Sequence, residues 1–558
     1  MSGFYGDRFA AMREMLTGGQ LDVLTGDYLA ELTMLILGRQ RMKDPAGGYA
    51  RTFLRQLEEC LGLAMDRGVR IVTNAGGLNP AGLAAEITAL ADRLGLAVRV
   101  GYVEGDDLLQ RGFDGAPGRD GGRQALTANA YLGGWGIAEC LRAGADVVVT
   151  GRVTDASLVV GPAAAHFGWQ RTDYHKLAGA TVAGHVIECG AQATGGNYAF
   201  FTELSNLDRP GFPIAEIDED GTSVITKHPG TGGAVMVETV TAQLLYEIGR
   251  PTYLGPDVTS RFDTITLTDD GPDRVRISGV RGESPPATLK VCLNDLEGFR
   301  NSATFILCGL DIDAKAELAR RQLAAEVGAE GTTWTLARTD HTDADTEETA
   351  SALLHATIRT PDAKRAKGFS RACVELALSS YPGFTLTAPP ADGTPVGVYR
   401  AEYVPADTVT QTAVLPTGER VDIPSGPADA QPSWVVAGRD EPEPLPTGPT
   451  RRVPLGTFLG ARSGDKGGDA NLGVWARDDD GYRWLATELT TERLRDLLPE
   501  AKDLDIERHP LPDLRAVNFV LHGLLGQGVA ASTRFDPQAK ALGEWLRSRV
   551  VDVPEVLL

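Results

Sequence analysis

Long apolar runs are missing from this sequence. The most apolar stretch, Leu29 to Leu37, is interrupted by Glu31 and Thr33, far short of the roughly 20 apolar residues that cross a bilayer. The first ten residues include Asp7 and Arg8 and carry no apolar block of the kind that marks a secretory signal. Cysteine is scarce: six residues, at 60, 140, 189, 292, 308 and 373, in a chain of 558. Their scatter gives neither a metal knuckle nor a disulfide framework, and a cytoplasmic setting is expected. Positive charge is also short, with 54 Lys and Arg against 75 Asp and Glu, a net charge of −21. Nucleic-acid binding rests on basic side chains that neutralise phosphates, so neither nucleic acid nor membrane is an expected partner. An anionic small molecule would need a locally positive pocket inside an acidic protein.

Glycine is abundant, with 66 residues, and turns rich in it can build such a pocket from backbone N–H groups. The chain is too long for one core. From residue 27 helical and strand patterns alternate: Leu83, Ile87, Leu90 and Leu94 recur at helical spacing between the short apolar runs 69–72 and 97–103. A helix over 125–143 is expected to lead into a buried strand at 146–150. Such alternation predicts a mostly parallel, helix-covered sheet, an α/β fold, over about 1–250. Over about 251–423 the pattern turns α+β: 262–268 and 275–280 flank turn residues as a hairpin, and helices follow near 313–327 and 364–379. Seven prolines between 424 and 451 mark a linker. Residues 452–558 read as a small α+β domain.

Several segments carry chemistry. Residues 72–80 read V-T-N-A-G-G-L-N-P, a strand-to-helix turn in which Asn74, Gly76 and Gly77 are candidate anion binders. The plainer reading is a tight turn with Asn79 as helix cap and Pro80 at the first helical position. In D-V-V-V-T-G-R-V-T-D-A-S, 146–157, Arg152 can clamp a carboxylate or phosphate just past a strand's carboxyl end. Asp155 is a candidate base or a helix cap. In G-H-V-I-E-C-G-A-Q-A-T-G-G-N, 184–197, Glu188 is a candidate acid/base, and Gln192, Thr194, Gly195, Gly196 and Asn197 are candidate substrate contacts. Cys189 is either a nucleophile served by His185 or His228 or a small buried residue at a strand end.

The segment K-H-P-G-T-G-G, 227–233, adds His228 as a candidate acid/base and Thr231, Gly232 and Gly233 as candidate binders. In A-R-S-G-D-K-G-G-D-A-N, 461–471, read as a loop between two strands, Arg462, Ser463 and Lys466 can hold an anion. Asp465 and Asp469 can hold a divalent cation there, or Asp465 can act with Lys466 in catalysis, or the loop can simply turn the chain. Asn518, His522 and Gly523 end a later strand. Asp27 and Glu31, at helical i, i+4 spacing, form a further acidic pair unless Asp27 merely caps the helix.

Taken together, T-N-A-G-G-L-N-P, A-Y-L-G-G-W-G-I-A-E, G-A-D-V-V-V-T-G-R-V-T-D-A-S, E-C-G-A-Q-A-T-G-G-N, K-H-P-G-T-G-G and R-S-G-D-K-G-G-D-A-N resemble the acyclic terpene utilisation protein A family. The resemblance spans nearly the whole chain and implies a large N-terminal family domain followed by a ferredoxin-like C-terminal domain. It also implies bacterial terpene catabolism running through acyl-CoA esters. The expectation is a lyase or hydratase acting on a carboxylate or acyl-thioester. Rival readings are a Cys189-dependent hydrolase or acyl transferase and a non-catalytic acyl-CoA-binding subunit. No motif demands a cofactor, a CoA ester enters only as substrate, and self-association into a homo-oligomer is expected.

Overall fold

The computed structural model describes residues 1–3, 6–109, 125–426 and 442–558. Most of the proline-rich segment, 427–441, lies outside the described residues. The chain forms two compact units, one of Met1–Asn294, Tyr399–Val529 and Gln538–Leu558, the other of Asp295–Val398 and Ala530–Pro537. These boundaries differ from the division at 250 and 423, because the C-terminal segment shares a unit with the N-terminal α/β part.

At the centre of the first unit is a six-stranded sheet in the order Val23–Gly26, Arg70–Thr73, Val147–Thr150, Val100–Glu104, Gln411–Val414, Arg420–Ile423. The first four strands run parallel, and the last two add an antiparallel edge. Val147–Thr150 is fully buried, as expected of an apolar run in a helix-covered parallel strand. Asn79 caps the helix Pro80–Leu94 by accepting from Gly82 N at 2.9 Å, with Pro80 at its first position. The expected hairpin forms from Thr266–Asp269 and Val275–Ser278.

Two local expectations fail for readable reasons. Residues 125–143 are not one helix: Thr127–Ala130 is a strand paired with Val291–Asn294, and the helix spans only Trp135–Arg142, after Gly133 and Gly134. The apolar run before Cys189 is the C-terminal part of the helix Tyr174–Ile187, not a strand. That helix is buried from Leu177 through Val186, and a helix buried all round loses the periodicity that distinguishes it from a strand.

The C-terminal segment builds a four-stranded antiparallel sheet in the order Leu459–Lys466, Asp469–Ala476, Ala516–Leu521, Ile506–Leu511. What reads in sequence as the loop 461–471 is two strands joined at Gly467 and Gly468. The sheet docks on the segment after the helix Val237–Leu244. Asn471 Nδ2 donates to the Leu245 carbonyl at 3.0 Å and its Oδ1 accepts from Glu247 N at 2.8 Å. Asn518 Nδ2 donates to the Gly249 carbonyl at 2.7 Å. Both asparagines are fully buried, so these bonds satisfy groups that would be costly unpaired. In the second unit, the strands Thr332–Ala337 and Ser351–Thr360 and residues 299–308 form an antiparallel sheet. Phe305, Leu354 and Phe369 anchor its core with the helices Ile312–Val327 and Ala363–Glu375.

Candidate functional site

Each of the four parallel strands delivers one polar residue just past its carboxyl end: Asp27, Asn74, Asp106 and Arg152. Open α/β sheets bind ligands there. Arg152 is buried, with 3% of its side chain exposed, and pairs with Asp155 Oδ1 at 3.0 Å. It donates to the Leu29 carbonyl at 2.8 Å and lies 4.3 Å from the centre of the Tyr131 ring. Its Nε is buried without a hydrogen-bond partner. Asp155 is therefore not the helix cap: the helix Ser157–Phe167 is preceded by Ala156, which supplies no side-chain cap. Asp27 precedes its helix as well, which begins at Glu31, so the pair does not share a helical face. Asn74 Nδ2 holds Asp27 Oδ1 at 2.6 Å, while Glu31 accepts from the Tyr131 hydroxyl at 3.2 Å.

The end of the helix Tyr174–Ile187 contributes His185 and, just after it, Glu188. His185 Nδ1 lies 3.4 Å from Glu188 Oε1, with 2% and 9% of the two side chains exposed. Tyr253 and Phe262 pack on the imidazole at 5.6 and 5.5 Å between ring centres. Among the described residues, neither ring nitrogen completes a well-formed hydrogen bond, and neither does Glu188 Oε2. Burial, with Lys466 adding to it, lowers His185 to about 4. Burial, then Asp155 and Glu247, pushes Glu188 well above the carboxylate range. Burial likewise raises Asp155 to about 8 against the pull of Arg152, and Asp27 to about 6. An imidazole biased toward its neutral form beside a carboxyl biased toward its protonated form can accept and donate a proton, the direction of tuning that acid–base catalysis needs.

Four further cations stand around these groups. Lys290 Nζ lies 3.8 Å from Glu31 Oε1 and 4.9 Å from the Tyr131 ring centre. Lys290 and Glu31 each keep 31% of their side chains open. Burial pushes Glu31 up, but Lys290 and Arg152 outweigh it and hold the carboxylate below its ordinary value. Lys466 Nζ donates to the Glu247 carbonyl at 2.7 Å, and its pKa falls because protein surrounds it and Lys290 repels it. Behind it, Lys540 joins Glu247 at 3.0 Å and Asp465 at 3.3 Å. Arg462 bonds Gln192 and lies 4.2 Å over the Tyr246 ring.

The structure thus brings together Asp155, Glu188, Arg152 and Lys466, with Asp465, Arg462 and Gln192 adjoining. Other residues singled out in the sequence take structural places. His228 Nε2 bonds the Met15 carbonyl at 2.9 Å and its ring packs against Gly18 and Gly19. Its part as proton carrier for the Glu188 cluster is corrected accordingly. Ser463 ties its strand to the Ala539 carbonyl at 2.6 Å and accepts from Gly543 N. Asp465 and Asp469 take separate partners, Lys540 and His522. No group of three or more His, Cys, Asp or Glu among the described residues is arranged to hold a metal ion.

The glycine turns also read differently. Gly77 N bonds the Asn74 carbonyl, Gly195 N that of Gln192, and Gly196 N that of Ala191, so these donors serve their own turns. A Cβ on Gly76 would stand 2.5 Å from the Thr150 carbonyl oxygen, which explains that glycine by packing. The turns at 194–197 and 230–233 meet through Ala234 N and the Thr194 carbonyl at 2.9 Å, with Thr231 and Gly232 in local bonds. Asn197 adopts φ 61°. The turn at 74–77 packs against Leu37 and Gly48.

The Cys189 thiol is pushed well up by burial and then by Glu188, which disfavours the nucleophilic thiolate. Cys189→Ala is expected to keep at least half the wild-type turnover, measured beside a thiol-alkylation control. Asp106, 2% exposed, accepts from Arg152 N and Asn129 Nδ2, each at 2.8 Å, and fixes the Arg152 turn. Burial raises it from 3.8 to about 7. Between those values the unfolded chain holds fewer protons than the folded one, so this group costs stability as pH rises. Asp106→Asn should therefore gain stability over wild type progressively from pH 4 to 8, by at most about 4 kcal/mol. Urea unfolding at pH 5 and pH 8 measures the difference.

Lys290, Tyr131, Tyr253, Glu247 and Lys540 were not visible as site residues in the sequence. Only Tyr131 left a trace, in the A-Y-L-G-G-W-G segment. No curated protein and no solved structure matches the chain. The model of the acyclic terpene utilisation family protein AtuA matches residues 1–415, and that of the AtuA ferredoxin-like domain matches residues 453–552. With those two matches covering most of its length, the chain belongs to the acyclic terpene utilisation protein AtuA family.

Proposed function

We propose that the protein is a lyase or hydratase that adds water to, or eliminates it from, a carboxylate or acyl-thioester substrate. Family membership supports a role in acyclic terpene utilisation. The observation that carries the reading is the buried His185–Glu188 pair, whose environment favours a neutral base beside a protonated acid. In the elimination direction, His185 takes the proton next to the carbonyl or carboxylate. The electrons of that C–H bond form the C=C bond, and the C–O bond breaks as Glu188 protonates the departing hydroxyl, which leaves as water. Arg152, Lys290 and Lys466 offset the negative charge that develops on the substrate oxygen, a preorganised term worth several kcal/mol in a cleft.

The test is proton exchange. The protein, incubated in D2O with branched acyclic 2-enoic acids and their thioesters, should place deuterium at C2 of one class, read by mass spectrometry. Exchange should vanish in His185→Gln. No exchange with any member of either class would set the proposal aside.

A further inference from the structure

Three features of the Arg152 end of the cleft point the same way. The Arg152 Nε is buried and lacks a partner, whereas Nη1 of the same guanidinium donates to the Leu29 carbonyl and lies 3.0 Å from Asp155 Oδ1. Lys290 Nζ shares the Tyr131 ring with Arg152, at 4.9 Å and 4.3 Å from its centre. Glu31 Oε1 pairs with Lys290 at 3.8 Å, beyond hydrogen-bond length, while it accepts from the Tyr131 hydroxyl, so the ammonium has an ion-pair partner there but no hydrogen bond to it.

Burial also acts on the charges. It shifts Asp155 up to about 8 and Glu188 upward, which biases both carboxyls toward their neutral forms, and Glu247 is engaged by Lys540. Arg152 and Lys290 therefore favour an added anion, an attraction felt strongly where water is excluded. A thioester presents a neutral carbonyl at its reacting end, whereas a free acid brings a negative charge.

We infer that Arg152 and Lys290, both set on Tyr131, form a subsite for the free carboxylate of the substrate, which makes the protein's ligand an acid and not its thioester. The inference rests on the acid–base reading of the same cleft and narrows its substrate class. The guanidinium Nε donates to one carboxylate oxygen, a charge-assisted bond, and Lys290 takes the other. Seating an anion there also disfavours ionisation of Glu188, because a nearby negative charge opposes loss of a carboxyl proton.

Calorimetric titration tests this with 3-methylbut-2-enoate, its methyl ester and its N-acetylcysteamine thioester as probes. The acid is expected to bind about ten- to a hundredfold more tightly than either ester, the size of one charge-assisted contact. Lys290→Met should remove that preference and Lys290→Arg should restore most of it, which a general folding defect would not do. Equal or tighter binding of an ester, an undiminished preference in Lys290→Met, or no binding of the acid overturns the inference. Deuterium exchange into the bound probe separates it from the acid–base reading. Exchange without acid preference removes only the carboxylate subsite, and preference without exchange removes only the lyase.

Discussion

Glu188→Gln is expected to lower turnover by about two to four orders of magnitude, the usual contribution of a positioned proton donor, while leaving the fold intact. The two halves of that expectation have one cause. Glu188 is 9% exposed and pushed well above the carboxylate range by burial and by Asp155 and Glu247. The surroundings therefore favour the neutral acid, and glutamine replaces that donor by a neutral one of nearly the same shape. Stability should change by less than about 1 kcal/mol, but the amide cannot release a proton. His185 sets the acid limb of the wild-type profile: lowered to about 4, it loses its base form only as pH falls through that value. A Glu188→Gln enzyme with wild-type turnover would remove Glu188 as the acid.

Arg152→Met is expected to abolish activity and to destabilise the protein by about 3–5 kcal/mol, the cost of leaving buried charges without their partner. The lower end is favoured because Asp155 keeps 30% of its side chain open and already titrates near 8. The loss should grow with pH. Without Arg152, Asp155 and Glu31 hold their protons to higher pH in the folded state than in the unfolded chain, so each unit of rising pH costs the variant more than the wild type. Arg152→Lys should fall between the two. An ammonium keeps the charge, but it cannot bond Leu29, pair with Asp155 and lie flat on Tyr131 at once. Urea unfolding at pH 5.5 and pH 8.5 checks both size and slope; equal losses at the two values would mean that packing dominates, not charge.

Local chemistry was legible where it is encoded locally. The Asn79–Pro80 helix start and the hairpin around 269–273 follow from residue types at fixed offsets, and both form. Arg152 could be placed past a strand end because V-V-V-T is a buried strand followed at once by a glycine. Asp155 remained ambiguous until its distance to Arg152 replaced the cap reading. His185 entered only as a helper for Cys189, because a fully buried helix has no polar face to show that residues three apart meet.

By itself, the sequence determined the family, the mostly parallel sheet and which polar residues follow its strand ends, since repeating patterns and turn residues act over short spans of chain. Only the tertiary structure decided which of the candidates meet. Lys466 reaches the cleft because Asn471 and Asn518 bury their amides against 245–249. Lys290 reaches it because its strand pairs with Thr127–Ala130. His228 is held away by the Met15 carbonyl, and the glycine amides close their own turns. Whether an acid is protonated at pH 7 depends on how much water and how many charges the whole fold leaves around it, and no span of sequence carries that sum.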